Sequence, residues 1–130
     1  MNASEKKMDN NRQEQIEALD VLKGFNEKLL KNMKIIVKEL SGARLEDTDK
    51  FLNAIIDAMN WEIQVVNGTM SLLNQGENRI DKTEFNNVII ELNSAIESKC
   101  DEEMAQKFEA AIPMFEKLQK ATIIVLNMEK

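Results

Sequence analysis

The stretch from Leu52 to Leu73, LNAIIDAMNWEIQVVNGTMSLL, decides the fold. Leu52, Ile56, Met59, Ile63, Val66, Met70 and Leu73 follow one another at alternating steps of four and three. That is the spacing with which a helix lays one face against a neighbouring helix. The acids Glu46, Asp47 and Asp49 stand just before it, where negative charge complements a helix N-terminus. The same stretch carries a second apolar row: Ala54, Ala58, Trp61, Val65, Gly68 and Leu72. Val65 is nine residues from Ile56, and at about 100° per residue this is half a turn away, so one seam cannot bury both rows. Covering roughly 300 to 400 Å² of such surface at about 25 cal/mol per Å² is worth roughly 8 to 10 kcal/mol before entropic costs. Either other parts of the chain clamp this helix from two sides, or another molecule does. Its small residues admit a close neighbour, and Trp61, the single tryptophan, is the kind of aromatic anchor that interfaces favour. Ala58, Trp61, Val65 and Leu72 are therefore the candidate interaction surface.

Working outward, the spacing predicts three further helices. Ile16, Leu19, Leu22, Leu29, Met33, Ile36 and Leu40 recur at threes and fours, with a double step across Asn26, and Ser41-Gly42 ends the run. The preceding MNASEKKMDNN, residues 1–11, has no apolar period and reads as a disordered tail, leaving residues 12–130 as a single helical domain. After Asn74-Gln75-Gly76, Asp81 and Glu84 form a capping box and Ile80 and Phe85 a hydrophobic staple. The helix they open buries Phe85, Val88 or Ile89, Leu92 and Ile96, and is the short third element. The fourth opens at Asp101-Glu102-Glu103 and continues through Met104, Phe108, Ala111, Phe115, Leu118, Thr122 and Val125. Pro113 lacks an amide donor and frees the Glu109 carbonyl, so this helix is expected to kink or break there. Residues 122–126, TIIVL, also read as a terminal strand, but a lone strand leaves its backbone unpaired, so helix is preferred. The expected fold is all-α, an antiparallel four-helix bundle.

Composition narrows the chemistry. A chain of 130 residues has the length of one domain, with 43% apolar and 31% charged residues. There is no histidine, no tyrosine and one cysteine, which removes Ser-His-Asp and Cys-His nucleophiles, histidine zinc sites and CxxC redox pairs. The net charge of −6 opposes binding to nucleic acid or anionic membranes. The charge is uneven: residues 1–46 carry nine basic residues against eight acids, residues 47–130 eight against fifteen. With neither a signal peptide nor a membrane span legible, the protein is expected in the cytoplasm.

The remaining motifs have structural readings. Ile80-Asp81-Lys82-Thr83-Glu84-Phe85 reads like the second half of a calcium loop, but with Glu84 at loop position 12 the glycine position falls on Asn78 and the first ligand position on Leu73. Glu17, Glu62, Glu91 and Glu116 are assigned to solvated faces; an enzyme would need a deep pocket in which acids such as Glu62 and Glu91 converge. Lys31, Lys34 and Lys38 form a basic face that solubilises the first helix or docks an acidic partner. Asn53, Asn60, Asn67 and Asn74 recur every seven residues as a polar border, with register setting as the alternative. Cys100 is read as a passive thiol near a loop.

The run FLNAIIDAMNWEIQVVNGTMSLLNQGENRIDKTEFNNVIIELNSAIESKCDEEMAQKFEAAIPMFEKL resembles a family of small helical domains of unknown function from Firmicutes. The likeness lies in the aliphatic stretch before Trp61-Glu62, the Ile80-to-Phe85 helix start and Ile112-Pro113, and it extends over about Leu45 to Gln119. It implies a bacterial intracellular helical domain and brings no catalytic or binding residue with it. The reading of the whole is a non-enzymatic protein-interaction or self-association module, with no catalytic residues, no cofactor and no metal, joined through its second helix to a protein partner or a second copy. The alternative is a small acidic chaperone offering an apolar groove to a helix of an exported or flagellar protein.

Overall fold

Caps and turns divide the chain into five helices in the computed structural model, which describes the backbone of residues 3–129 and the side chains of residues 11–129. They are α1 (Ala3–Leu40), α2 (Thr48–Gly68), α3 (Met70–Leu73), α4 (Lys82–Ser98) and α5 (Asp101–Met128), with no strand among the described residues. The terminal-strand alternative for residues 122–126 is thereby removed. None of these helices is long and apolar enough to cross a membrane.

α1 starts at Ala3, so the loss of apolar period before Arg12 does not mark a helix boundary. Residues such as Glu5, Lys6 and Lys7 are good helix formers and can continue a helix already nucleated, where a disordered tail was expected. Its buried face is the predicted one: Leu19, Leu22, Leu29, Met33, Ile36 and Leu40 are at most 2% exposed. Gly42, at φ 111°, makes the turn after it. The Thr48 hydroxyl then secures the connection, accepting from the Leu45 amide at 2.7 Å and donating to Glu39 Oε1 at 2.7 Å.

The expected second helix is cut into α2 and α3 at Thr69, whose backbone leaves helical geometry. The Thr69 hydroxyl donates to the Val65 carbonyl at 2.6 Å, and its amide turns back to Val66 at 3.2 Å, a tight turn in place of a helical one. Gly68 immediately before it lowers the cost of leaving the helix. The loop after α3 is organised by Asn74, whose Oδ1 accepts from the amides of Arg79 and Ile80 at 2.8 Å each, while its Nδ2 donates to the Ile80 carbonyl at 3.0 Å. Arg79 closes the loop from outside by donating to the carbonyls of Leu73 and Gln75.

α4 begins as its capping signature predicts: Asp81 Oδ1 accepts from the Glu84 amide at 2.9 Å, and Ile80 and Phe85 are fully buried. Lys99 in the left-handed conformation ends it, and α5 follows at once. Of the expected kink or break at Pro113, the break is absent: α5 is one continuous helix through it. The reason is placement. Pro113, Glu109 and Ala110 are exposed, so the carbonyl freed by the missing amide faces water.

Side-chain pairs give the helix directions. α5 is antiparallel to α1, with Arg12 bonded to Glu129 at one end and Asn26 to Phe115 midway. α4 is antiparallel to α5, with Glu84 beside Lys117 and Glu91 beside Lys107. α2 is antiparallel to α1, with Phe25 against Trp61 and Glu39 bonded to Thr48. α1 and α5 form the most extensive pairing, and α2 rests mainly on α1.

Candidate interaction surface

The direction in which α2 faces follows from its neighbour. Because α1 is its main support, the centre of its buried face is rotated from the predicted seam toward the second row. Leu52, Met59, Val66 and Leu73 are buried as expected, but Ile56, Ile63 and Met70 are only half-buried, and Ile55, Glu62, Thr69 and Leu72 take the inner positions. The second apolar row is only partly covered: Ala54, Trp61 and Gly68 are exposed, Ala58 and Val65 half-buried, and Leu72 buried.

Of the four residues proposed from sequence, the structure keeps three near the surface. Ala58 and Val65 are half-buried against the core, and Trp61 is 36% exposed. Leu72 is not available for contact: it is 3% exposed, because the cut at Thr69 reorients α3 and sends Leu72 inward beside Leu73. A residue not singled out from the sequence completes the face. Phe25 of α1 lies on Trp61 with ring centroids 5.0 Å apart and planes tilted by 44°. Phe25 is 49% exposed, and Val21, one turn earlier on the same edge of α1, is 53% exposed. The signal was present: Val21 and Phe25 are an i, i+4 apolar pair off the Leu22–Leu29 seam. Three other phenylalanines, Phe85, Phe108 and Phe115, are fully buried.

The acids lie differently from the sequence assignment in one case. Glu17, Glu91 and Glu116 are exposed, but Glu62 is fully buried, and neither of its carboxyl oxygens has a hydrogen-bond partner. Rotation of α2 toward α1 turns position 62 inward, and burial pushes the Glu62 carboxyl up to about 8. Glu62 and Glu91 therefore do not converge: one is inside, the other outside beside Lys107 at 3.7 Å. Lys31, Lys34 and Lys38 are all exposed. The calcium-like motif is spent on local structure, Asp81 capping α4 and Glu84 pairing with Lys117. Asn53, Asn60 and Asn67 are exposed as a border, and Asn74 alone of that series has a structural bond set. Cys100 is exposed in the turn between α4 and α5.

At the far end of the molecule Arg44 bridges Asp101 of α5, at 2.6 and 2.9 Å, and Asp49 of α2 at 2.9 Å. Its hydrogen bonds hold the Asp101 carboxyl below the usual carboxylate range and the guanidinium above its own. This is a clasp between helix starts, with the Nε, Nη1 and Nη2 groups of Arg44 each donating within the chain.

No curated protein and no solved structure matches the sequence. Residues 17–121, from the first buried turn of α1 to the last third of α5, match the family model of the domain of unknown function DUF8042. The match takes in Phe25, Trp61, Glu62, all of α2 and α4 and most of α1 and α5, and the chain belongs to that family.

Proposed function

We propose that this chain is a non-catalytic association module, an antiparallel four-helix bundle of α1, α2, α4 and α5 that joins a protein, in the first instance a second copy of itself, through the face where Phe25 lies on Trp61. The reading keeps the protein in a bacterial cytoplasm, as the sequence resemblance implies. The observation that carries it is the aromatic pair: two large rings are left at 49% and 36% exposure beside Val21, while three other aromatic residues are fully buried. Aromatic side chains concentrate binding energy at interfaces, and a pair already in contact loses little conformational freedom on binding. The chaperone alternative asks for an apolar groove as wide as a helix. The concavity between α1 and the end of α5 mixes Ile16, Ile123 and Leu126 with Glu17, Asp20 and Lys23, which favours that alternative less.

Light scattering on the purified protein tests the reading. The wild type is expected at twice its 14.9 kDa mass, and Trp61→Asp at the single-chain mass with unchanged far-ultraviolet circular dichroism. A wild type that stays single-chain at its highest soluble concentration overturns self-association.

A further inference from the structure

Glu62 sits on the buried face of α2 between Met59 and Val66, at 0% exposure, with both carboxyl oxygens unpartnered. The contact of Phe25 with Trp61 sets its level in the molecule, which on α1 is that of Leu22, Asn26 and Leu29. Asn26 Oδ1 is likewise buried and unpartnered. Among the described residues no hydrogen bond or ion pair reaches Glu62. On α1, Lys23, Glu27 and Lys28 are exposed, and on α2 Asp57 is exposed. α3 carries no charge. On α4, Glu84 and Glu91 turn outward to Lys117 and Lys107 of α5, where Glu109 and Glu116 are also exposed. Glu39, the other buried acid, is bonded to Thr48 near the opposite end of α2.

A carboxylate in such a place has neither donor nor cation to offset its lost hydration, so it is held as the neutral acid or it leaves the core. Little besides α1 holds the helix that bears it, because α2 rests mainly on α1 and ends at Thr69 within two turns of Glu62. We propose that Glu62 is a proton-operated latch: with its proton in place the middle of α2 lies on α1, and loss of the proton lifts the segment 58–66 away, parting Trp61 from Phe25. The proposal does not rest on the association reading, because the opening is a property of the single chain.

Amide hydrogen exchange of residues 58–66 tests it. Opening coupled to release of one proton raises the opening constant about tenfold per pH unit between pH 6 and 7.5, after intrinsic exchange rates are divided out. The rise levels off near pH 8, where the closed form ionises too. Glu62→Gln is expected to show no such slope, and Trp61 emission is expected to move to longer wavelength as pH rises toward 8 in the wild type alone. Should Glu62→Gln fail to fold, Glu62→Met serves the same comparison. The chain has no histidine or tyrosine, and the comparison is made in a Cys100→Ser background. A flat wild-type profile, or the same slope in the Glu62 variant, overturns the latch.

Discussion

Asn26 donates its side-chain amide to the main-chain carbonyl of Phe115 at 3.0 Å, tying the middle of α1 to the middle of α5 where both residues are fully buried. The same nitrogen donates to Gln119 Oε1 at 3.0 Å, and Gln119 Nε2 returns a bond to the Lys23 carbonyl at 3.0 Å. A polar residue that breaks the apolar rhythm of α1 thus sets the axial position of one helix against the other. A slip of one turn, about 5.4 Å, would separate all three pairs.

Asn26→Ala is therefore expected to lower stability by about 2 kcal/mol, the sum of a lost buried hydrogen bond and a small cavity. Urea unfolding should show a lower midpoint at unchanged slope. Gln119→Ala, at the solvent edge of the network, should cost about 0.5 to 1 kcal/mol.

Replacing Glu62 should stabilise the protein, and the gain should depend on pH. The folded-state value near 8 lies above the ordinary value of 4.5, so across that interval the native state keeps a proton that the unfolded chain releases. Stability attributable to this group is full below the lower value and falls by about 1.4 kcal/mol per pH unit as pH rises toward the upper one. Glu62→Met is expected to gain roughly 2 to 3 kcal/mol over wild type at pH 7 and far less at pH 4.5. Melting curves of both proteins at the two pH values check this; an equal difference at both would contradict it.

Arg44→Ala should lower the melting temperature at neutral pH and low salt by removing the clasp among α2, α5 and the loop after α1. Asp101 is held below the usual carboxylate range by Arg44, so its contribution is present above the unfolded carboxyl value and disappears as pH falls through the depressed one. The gap between variant and wild type should narrow in strong acid and in 1 M salt, because the pair is solvent-screened.

Much of the fold is legible in the sequence because its signals are local. The Asp81–Glu84 cap, the Ser41-Gly42 stop and the apolar face of α1 depend on neighbours within one or two turns, and the structure uses each in that way. What escapes is whatever depends on a distant neighbour. The period of α2 gives the correct helix but not which side of it α1 would occupy, so Glu62 was placed in solvent and Leu72 at the surface. Pro113 signals a disruption, but whether water can satisfy the carbonyl it frees depends on which face of the helix is exposed, and here that face is wet. Trp61 was legible as an anchor, while its companion Phe25, 36 positions away in the chain, could be found only by asking why two apolar residues lie off the first seam.

The turn at Lys99 and Cys100 sets α4 and α5 side by side almost as soon as both exist, and Phe85 meets Phe115 within that hairpin at a ring separation of 6.1 Å. The α1–α5 seam is the opposite case: Arg12 and Glu129 are 117 positions apart. Loop closure is entropically cheap for the hairpin and expensive for the seam. The molecule's largest contact is therefore also its most cooperative one, and chain freedom at either end is surrendered only when α1 settles along α5.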